Sequence, residues 1–577
     1  MIPPSNPEHG FTLAVIETGL TFVAIAMAFC WPRLGSRQFT WIESTLKRVA
    51  LRKHLAVALS GLTVLVLRVA LLPLFPIPLP FIHDDFSFLL AADTFASGRL
   101  TNPTPLMWTH FESFHITMFP TYMSMYFPAQ GLLLAAGKVF LGHPWFGILI
   151  VDALMCSALC WMLQAWLPPT WAFLGAMLAV LRLGLFSYWI NTYIGGGFIA
   201  ALGGALVLGA LPRLMRGVQL RYGLLMAVGI VLLATSRPYE GLLLCLPVAA
   251  YLGHWLLSGT NRPTPARLFR CAALPLLLVI SAGAWMAYYD YRVFGKPLTL
   301  PYTINRATYA VAPYYVWQSP RPEPVYRHAV MRDFYAQDEY KLYKDIHKPM
   351  AYLPLTIMKA SSGILLFAGF VLTIPLIMVR RVLMDRRVRF LVICVFVLMA
   401  GMAIEIFLIP HYLAPFTAAF YALGLQAMRH LRVWRPGGQP VGLAWVRFAV
   451  VLCCAMGVLR VSAKPLHIVV PQWPVSEWAG MWYGPDHYGT ERAQIEDKLE
   501  HLPGKQVVVV RYSTEHNSLE EWVYNSPDID NSKVIWAREM DLAENGRLLE
   551  YYSDRNVWLV QPDSQQEKLS SYSMPKR

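Results

Sequence analysis

Charge is scarce in this chain. Asp, Glu, Lys and Arg together make up 15% of its 577 residues, too few to solvate a water-soluble protein of that length. Cysteine is scarce as well: Cys30, Cys156, Cys160, Cys245, Cys271, Cys394, Cys453 and Cys454 all fall inside apolar segments. That placement speaks against a disulfide framework or a zinc knuckle and leaves them as core residues. No RNA- or DNA-binding motif stands out, so the net charge of +14 does not point to nucleic acid. The leader MIPPSNPEHG lacks Lys and Arg. Although Ala26-Met27-Ala28 looks like a signal-peptidase site, the basic cluster follows the first apolar segment, which predicts an uncleaved anchor with its N-terminus outside.

What the chain has is apolar length. It is 56% hydrophobic, with a mean hydropathy of +0.42, the composition of an integral membrane protein. Windows of about 20 residues, enough to cross a bilayer, occur near 11-31, 55-75, 145-166, 171-190, 194-212, 222-236, 239-258, 271-289, 354-379, 390-409, 412-428 and 441-462. The fold class is therefore an all-α polytopic membrane protein with about twelve spans. Basic clusters follow the odd-numbered windows: Arg33 to Lys53, Arg213 to Arg221, Arg262 to Arg270, Arg380 to Arg389, and Arg429 to Arg435. One orientation satisfies the positive-inside rule throughout and puts both termini outside.

On that assignment the polar chemistry gathers on the extracytoplasmic face. There lie the HDDF stretch, the SYWINTYIGGG turn, the SRPYEG turn, the loop 290-353, the IPHY turn and the tail from 463. Glu17, Arg68, Asp152, Arg182, Lys359 and Glu405 sit about four to eight residues inside the outer ends of their windows, roughly 6 to 12 Å deep at 1.5 Å per residue. Charges at a shared depth favour a water-accessible cavity open to that face over ion pairs that merely lock helices together. Arg182 and Lys359 are candidate phosphate contacts there.

Asp84 and Asp85 stand at the lip of the second span. They can cap the following helix, and adjacent carboxylates also raise each other's pKa, which suits a general base. The rest of 76-144, rich in aromatics and methionines, reads as interfacial helices along the outer leaflet. Arg237 and Glu240 in SRPYEG form a snorkelling turn or an anion clamp, and His411 and Tyr412 extend that rim. Asn191, Tyr193, Asn305 and Arg306 lie in loops whose aromatic and polar content suits a sugar or lipid headgroup. In the tail, KQVVVVRYS, SKVIWARE and NVWLVQPD read as buried strands, with ERAQIEDKLEHL and AENGRLLEYY as helices, giving a small α/β domain with parallel pairing. It has no GxGxxG and no phosphate loop, so a structural or docking role is expected of it.

An acidic pair opening the first outer loop (His83-Asp84-Asp85-Phe86), followed by a Gly-Arg and Asn-Pro stretch, by FPAQGLLLAAGKVFLG, SRPYEGLLL and HYLAP, resembles the C-type glycosyltransferases. The nearest groups in pattern are the protein O-mannosyltransferases, lipid A aminoarabinose transferases and lipopolysaccharide-core galacturonosyltransferases. The resemblance covers roughly residues 55-430. It implies a donor carried on polyprenyl phosphate and an envelope glycan, lipid or protein as acceptor. By position Asp84 is then the base that deprotonates the acceptor hydroxyl, Asp85 its support or an acceptor contact, and Arg237 the grip on the leaving phosphate, with inversion at the anomeric carbon. His411 stands where many relatives have Arg, and Asn191 where some have an acid, which leaves open whether a divalent cation (Mg or Mn) takes part. The expected domains are an anchor helix and basic cytoplasmic loop (1-54), a transmembrane catalytic region (55-462) with outer loops 76-144 and 290-353, and an extracytoplasmic α/β domain (463-577). The competing readings are a secondary transporter, which fits poorly with charges placed high in the spans, and a noncatalytic scaffold for envelope assembly.

Overall fold

The computed structural model describes residues 13–258, 262–407, 409–463, 466, 482, 489–565 and 567–572. The leader lies outside them, and the expected boundary at 463 falls where a stretch outside them begins. Eight helices among the described residues are long and apolar enough to cross a membrane: Lys53–Ala70, Trp145–Trp166, Pro169–Asn191, Gly197–Arg216, Pro238–Ser258, Pro265–Phe294, Tyr352–Met384 and Val441–Val461. Four shorter apolar helices join them: Val15–Cys30, Pro128–Leu141, Leu220–Ser236 and Arg389–Ala403. The chain is thus a multi-pass helical membrane protein.

Side-chain size sorts these helices. Gly197–Arg216 runs through the middle, where Gly203 and Gly229 bring it close to Leu220–Ser236 and a methyl group on Gly204 would collide with the Pro415 carbonyl. Small residues are what let helices approach in a bilayer, where packing replaces the hydrophobic drive. Pro265–Phe294 is the opposite case. It is buried only at Tyr289, Asp290, Val293 and Phe294, near its C-terminal end, so its apolar length is left for lipid.

Two expected segments differ. The basic region after the first span is a 16-residue helix, Ser36–Leu51, rather than a loop. The window 412-428 is split: Pro410–Phe416 forms a 3-10 turn and the helix begins at Thr417, because Pro410 and Pro415 cannot donate to a regular helical ladder.

Much of 76-144, expected as interfacial helices, packs against protein, while the helix Pro128–Leu141 leaves Leu132, Val139, Phe140 and Leu141 exposed. His83–Ala96 is a helix buried on most sides, and β1 (Ile116–Thr117) pairs antiparallel with β2 (Met123–Ser124). The aromatics of this stretch have partners in protein. Leu90, Phe111, Ile116, Met118 and Tyr122 share a core with Val507, Ile535, Ala537 and Leu548 of the tail, while Phe114 packs with Tyr309, Val330, Phe334 and Tyr335 of the loop 290-353. Burying each such aromatic contributes about 1.5–3 kcal/mol.

The tail has the predicted elements. β3 (Lys505–Val510) lies parallel to both β4 (Val534–Arg538) and β5 (Arg555–Val560), and β6 (Leu569–Ser571) closes the edge antiparallel to β5, in the order β4-β3-β5-β6. The run Val507 to Val510 is buried on both faces, as a central parallel strand requires. Helices Thr490–His501 and Leu542–Tyr551 accompany the sheet.

Candidate active site

The chain leaves Lys53–Ala70 under the control of Arg68. Its guanidinium donates to the Phe75 carbonyl at 2.7 Å, the Pro76 carbonyl at 3.3 Å and Asn191 Oδ1 at 3.2 Å. This fixes the entry to His83–Ala96, whose first turn carries both acids where the helix dipole favours negative charge. The two carboxylates then diverge. Asp85 points into protein and is fully buried, with Oδ1 accepting from the Tyr193 N–H at 2.8 Å and Oδ2 from the Phe81 N–H at 3.4 Å. Asp84 keeps 18% of its side chain exposed and is the acid a substrate can reach.

Three groups converge on Asp84. Its Oδ2 lies 3.2 Å from His83 Nδ1 and its Oδ1 3.2 Å from His115 Nδ1, and Oδ1 also accepts from the Tyr126 hydroxyl. The same hydroxyl lies 3.0 Å from His115 Nδ1. Burial opposes ionisation of Asp84, but the adjoining His115 and His83 outweigh it and hold the carboxyl well below the ordinary range. Burial pushes Asp85 up to about 7, against the pull of the Tyr193 and Phe81 N–H groups. Burial also lowers His115, against the pull of the Asp84 carboxylate. The two carboxyls are therefore pushed in opposite directions, the divergence by which environment separates the roles of paired carboxylates.

His83, Asp84 and His115 can each offer one ligand atom, and these atoms lie within 4.8 Å of one another. Two imidazole nitrogens and a carboxylate suit manganese or zinc better than magnesium.

Arg237 approaches the same space from the spans. It caps Leu220–Ser236 and donates from Nη2 to the Gly195 carbonyl at 3.3 Å. Glu240 lies 3.8 Å from Nη1, and the guanidinium sits 4.3 Å from the centre of the Tyr412 ring. Gly196, at φ 96°, leaves room for it, since a Cβ there would touch Nε. The link to Asp84 is short: Gly195 abuts Phe88, and Phe88 stacks on the Tyr126 ring at 4.3 Å. Tyr302 closes the ring of aromatics, 5.8 Å from Tyr126. Asp84, Tyr126, Tyr302 and Tyr412 are each partly exposed, whereas Asp85, His115, Arg237, Glu240 and His411 are buried around them.

The other expected site residues fall into the frame. Asn191 donates to the Leu185 and Ser187 carbonyls at 3.3 and 2.9 Å, and the Tyr193 hydroxyl donates to Pro78 O at 3.1 Å. His411 meets the Tyr188 hydroxyl through Nδ1 at 2.8 Å. Arg306 makes a two-bond contact with Glu339 at 2.7 and 2.8 Å, and Asn305 lies 3.4 Å from the Ile116 carbonyl. Lys359 donates to the Glu405 and Ile406 carbonyls at 2.9 and 2.6 Å. Arg182 belongs to a separate interior network, donating to Leu365 O at 3.0 Å and lying 4.0 Å from Glu17. His115, Tyr126 and Tyr302 were not among the expected site residues. Each is one aromatic among many in its stretch, and only tertiary folding distinguishes it.

No family model and no curated protein matches the sequence. Solved structures similar to this chain include the Archaeoglobus fulgidus oligosaccharyltransferase tethered with an acceptor peptide containing the NVT sequon, at 11% identity and a TM-score of 0.41, over 81% of this chain and 62% of that one. The same archaeal enzyme in complex with Zn and sulfate is matched at 12% identity and a TM-score of 0.40, over 79% and 60%. ArnT from Cupriavidus metallidurans in the apo state is matched at 11% identity and a TM-score of 0.47, over 88% of this chain and 94% of that one. The chain thus spans less than two thirds of the archaeal enzyme and nearly all of ArnT.

Proposed function

We propose that this chain is a membrane glycosyltransferase of the C type, moving a sugar from a polyprenyl-phosphate donor to a hydroxyl of an envelope glycan, lipid or protein on the extracytoplasmic face of the membrane. The observation that carries the reading is the pairing of an ionised, partly open carboxylate, Asp84, with a buried guanidinium, Arg237, across one tyrosine-lined space at the end of the spans. A lipid-borne phosphate would reach Arg237 from the bilayer side, and a water-borne acceptor would reach Asp84 from outside. The basic clusters support this orientation, with both termini extracytoplasmic.

In the reaction the acceptor oxygen forms a bond to the anomeric carbon as the bond from that carbon to the donor phosphate oxygen breaks. The acceptor proton passes to Asp84, and the negative charge gathered on the leaving phosphate is met by Arg237. Attack opposite the leaving group inverts the anomeric centre. Asp85 has the pKa nearer neutrality but both its oxygens are engaged by backbone; for a general base geometry comes before pKa. A bound cation at His83, Asp84 and His115 would supply further positive charge, and those side chains are the ones placed to hold it.

The test is transfer from a panel of radiolabelled polyprenyl-phosphate sugars in membranes carrying wild type or Asp84→Asn. Loss of a general base lowers the rate about 10²–10⁴-fold, so label moved by wild type alone is the expected result. Undiminished transfer by a folded Asp84→Asn protein would remove Asp84 from the mechanism. Absence of transfer from every donor would return the chain to the transporter reading.

A further inference from the structure

The two segments that bear the site are held from outside the bundle. His83 and Asp84 follow directly on Phe81 and Ile82, and His115 follows Glu112 and Ser113. In the tail, the stretch between β3 and β4 runs alongside the first segment: Ile82 pairs with Glu520 as an antiparallel bridge, and the Glu521 N–H donates to the Phe81 carbonyl at 3.0 Å. The Glu521 side chain grips the second segment. Its Oε2 accepts from Ser113 Oγ at 2.9 Å and from Arg538 Nη2 at 2.5 Å, and Arg538 Nε donates to the Glu112 carbonyl at 2.6 Å. Oε1 is satisfied within the tail, by the Tyr512 hydroxyl at 2.8 Å and the Val523 N–H at 2.7 Å. One residue therefore fastens the approach to Asp84 with its backbone and the approach to His115 with its carboxylate.

His115 has need of such a hold. Its φ of +57° is left-handed, a conformation that costs a non-glycine residue about 1–2 kcal/mol and persists only where the surroundings over-determine it. Phe114 transmits the restraint sideways: the Arg538 guanidinium lies 5.5 Å from its ring, and its ring lies 5.1 Å from that of His83. The Glu521 and Arg538 side chains are all but fully buried. A buried ion pair of that kind is weak evidence for stability, because well-packed apolar side chains of similar volume often serve as well. Fixing two segments in one geometry is a task that apolar replacements cannot perform.

We propose that Glu521 and Arg538 are positioning residues, through which the C-terminal domain completes the active site by setting His83 and His115 around Asp84. The proposal rests on the reading of Asp84 as the reactive carboxylate.

The test uses the full chain in lipid nanodiscs, as wild type, Glu521→Gln, and the double variant Glu521→Met with Arg538→Met. Amide hydrogen exchange is followed in peptides covering 80–86 and 111–117, beside kcat and donor KM. Exchange in both peptides is expected to rise about tenfold, equivalent to about 1.4 kcal/mol, with the membrane spans unchanged. The expected fall in kcat is about 10- to 100-fold, with donor KM essentially unaltered. Unchanged exchange, or faster exchange with wild-type kcat, overturns the proposal, as does a rate that falls only with the folded fraction. Should the double variant not fold, Glu521→Gln, which keeps the shape and one carbonyl acceptor, decides by the same readouts. If wild type shows no transfer, the glycosyltransferase reading fails and the exchange experiment alone judges the clamp.

Discussion

Arg237 offers the sharpest quantitative test of the donor site. It is engaged without being saturated, with one hydrogen bond of 3.3 Å to Gly195, a carboxylate at 3.8 Å and an aromatic face at 4.3 Å. A unit charge about 4 Å away, in surroundings with an effective dielectric constant of about 20, interacts by about 4 kcal/mol. Replacing Arg237 by Met, which keeps contact with the Tyr412 ring, should remove most of that interaction and lower kcat/KM for the donor about 10³-fold, at 1.4 kcal/mol per factor of ten. Arg237→Lys keeps the charge and loses the two-pronged geometry, about one charge-assisted hydrogen bond of 1.5–3 kcal/mol, so the loss should be about 10- to 150-fold. The assay is steady-state transfer with donor and acceptor varied separately, and the acceptor KM should stay put in both variants. Equal losses for Lys and Met, or losses shared between donor and acceptor, would refute a phosphate-gripping role and leave Arg237 as packing.

Zinc or manganese titrated into the full chain should raise its melting temperature, by an amount equivalent to about 2.7 kcal/mol at a hundredfold excess over Kd, and His115→Ala should abolish the shift; a shift that survives the substitution would place the cation elsewhere. Away from the site, His328 donates from Nε2 to the Thr109 carbonyl at 2.7 Å, and burial pushes it down to about 3. On unfolding it regains an ordinary pKa near 6.5, so between about pH 6.5 and 3 the unfolded chain binds the extra proton and stability falls as pH falls, by up to about 1.4 kcal/mol per unit. Glu112, raised by burial, acts in the opposite sense, so the measurement is the difference between wild type and His328→Gln in denaturation from pH 7 to 4. The variant should show the flatter loss, and parallel curves would refute the assignment.

The membrane architecture was legible because a span is a local object, a run of apolar residues of sufficient length. The same holds for the central parallel strand of the tail, whose unbroken valines mark a strand buried on both faces. The 410–416 turn was not read because a window of mean apolarity ignores where prolines fall within it. At the site, the acid pair and Arg237 were visible as charges at the ends of apolar runs. Which acid faces substrate was not, because that depends on Tyr193 donating to Asp85 from 108 positions away. The role of Glu521 is further from any sequence signal: it bonds Ser113 across 408 positions, and nothing near it in the chain distinguishes it from the other glutamates.

That separation has a consequence for the life of the protein. Synthesis runs from the N-terminus, so every apolar helix can enter the bilayer before residue 521 exists. Asp84 and Arg237 are then already part of the nascent chain, whereas Glu521 and Arg538, which bond Ser113 and the Glu112 carbonyl, are made later. A chain interrupted before β4 would lack Arg538 and its bond to the Glu112 carbonyl, and on the proposed reading would carry an unframed Asp84. On the proposed reading the order of synthesis acts as a safety catch: the carboxylate is framed only once the domain bearing Glu521 and Arg538 has been made.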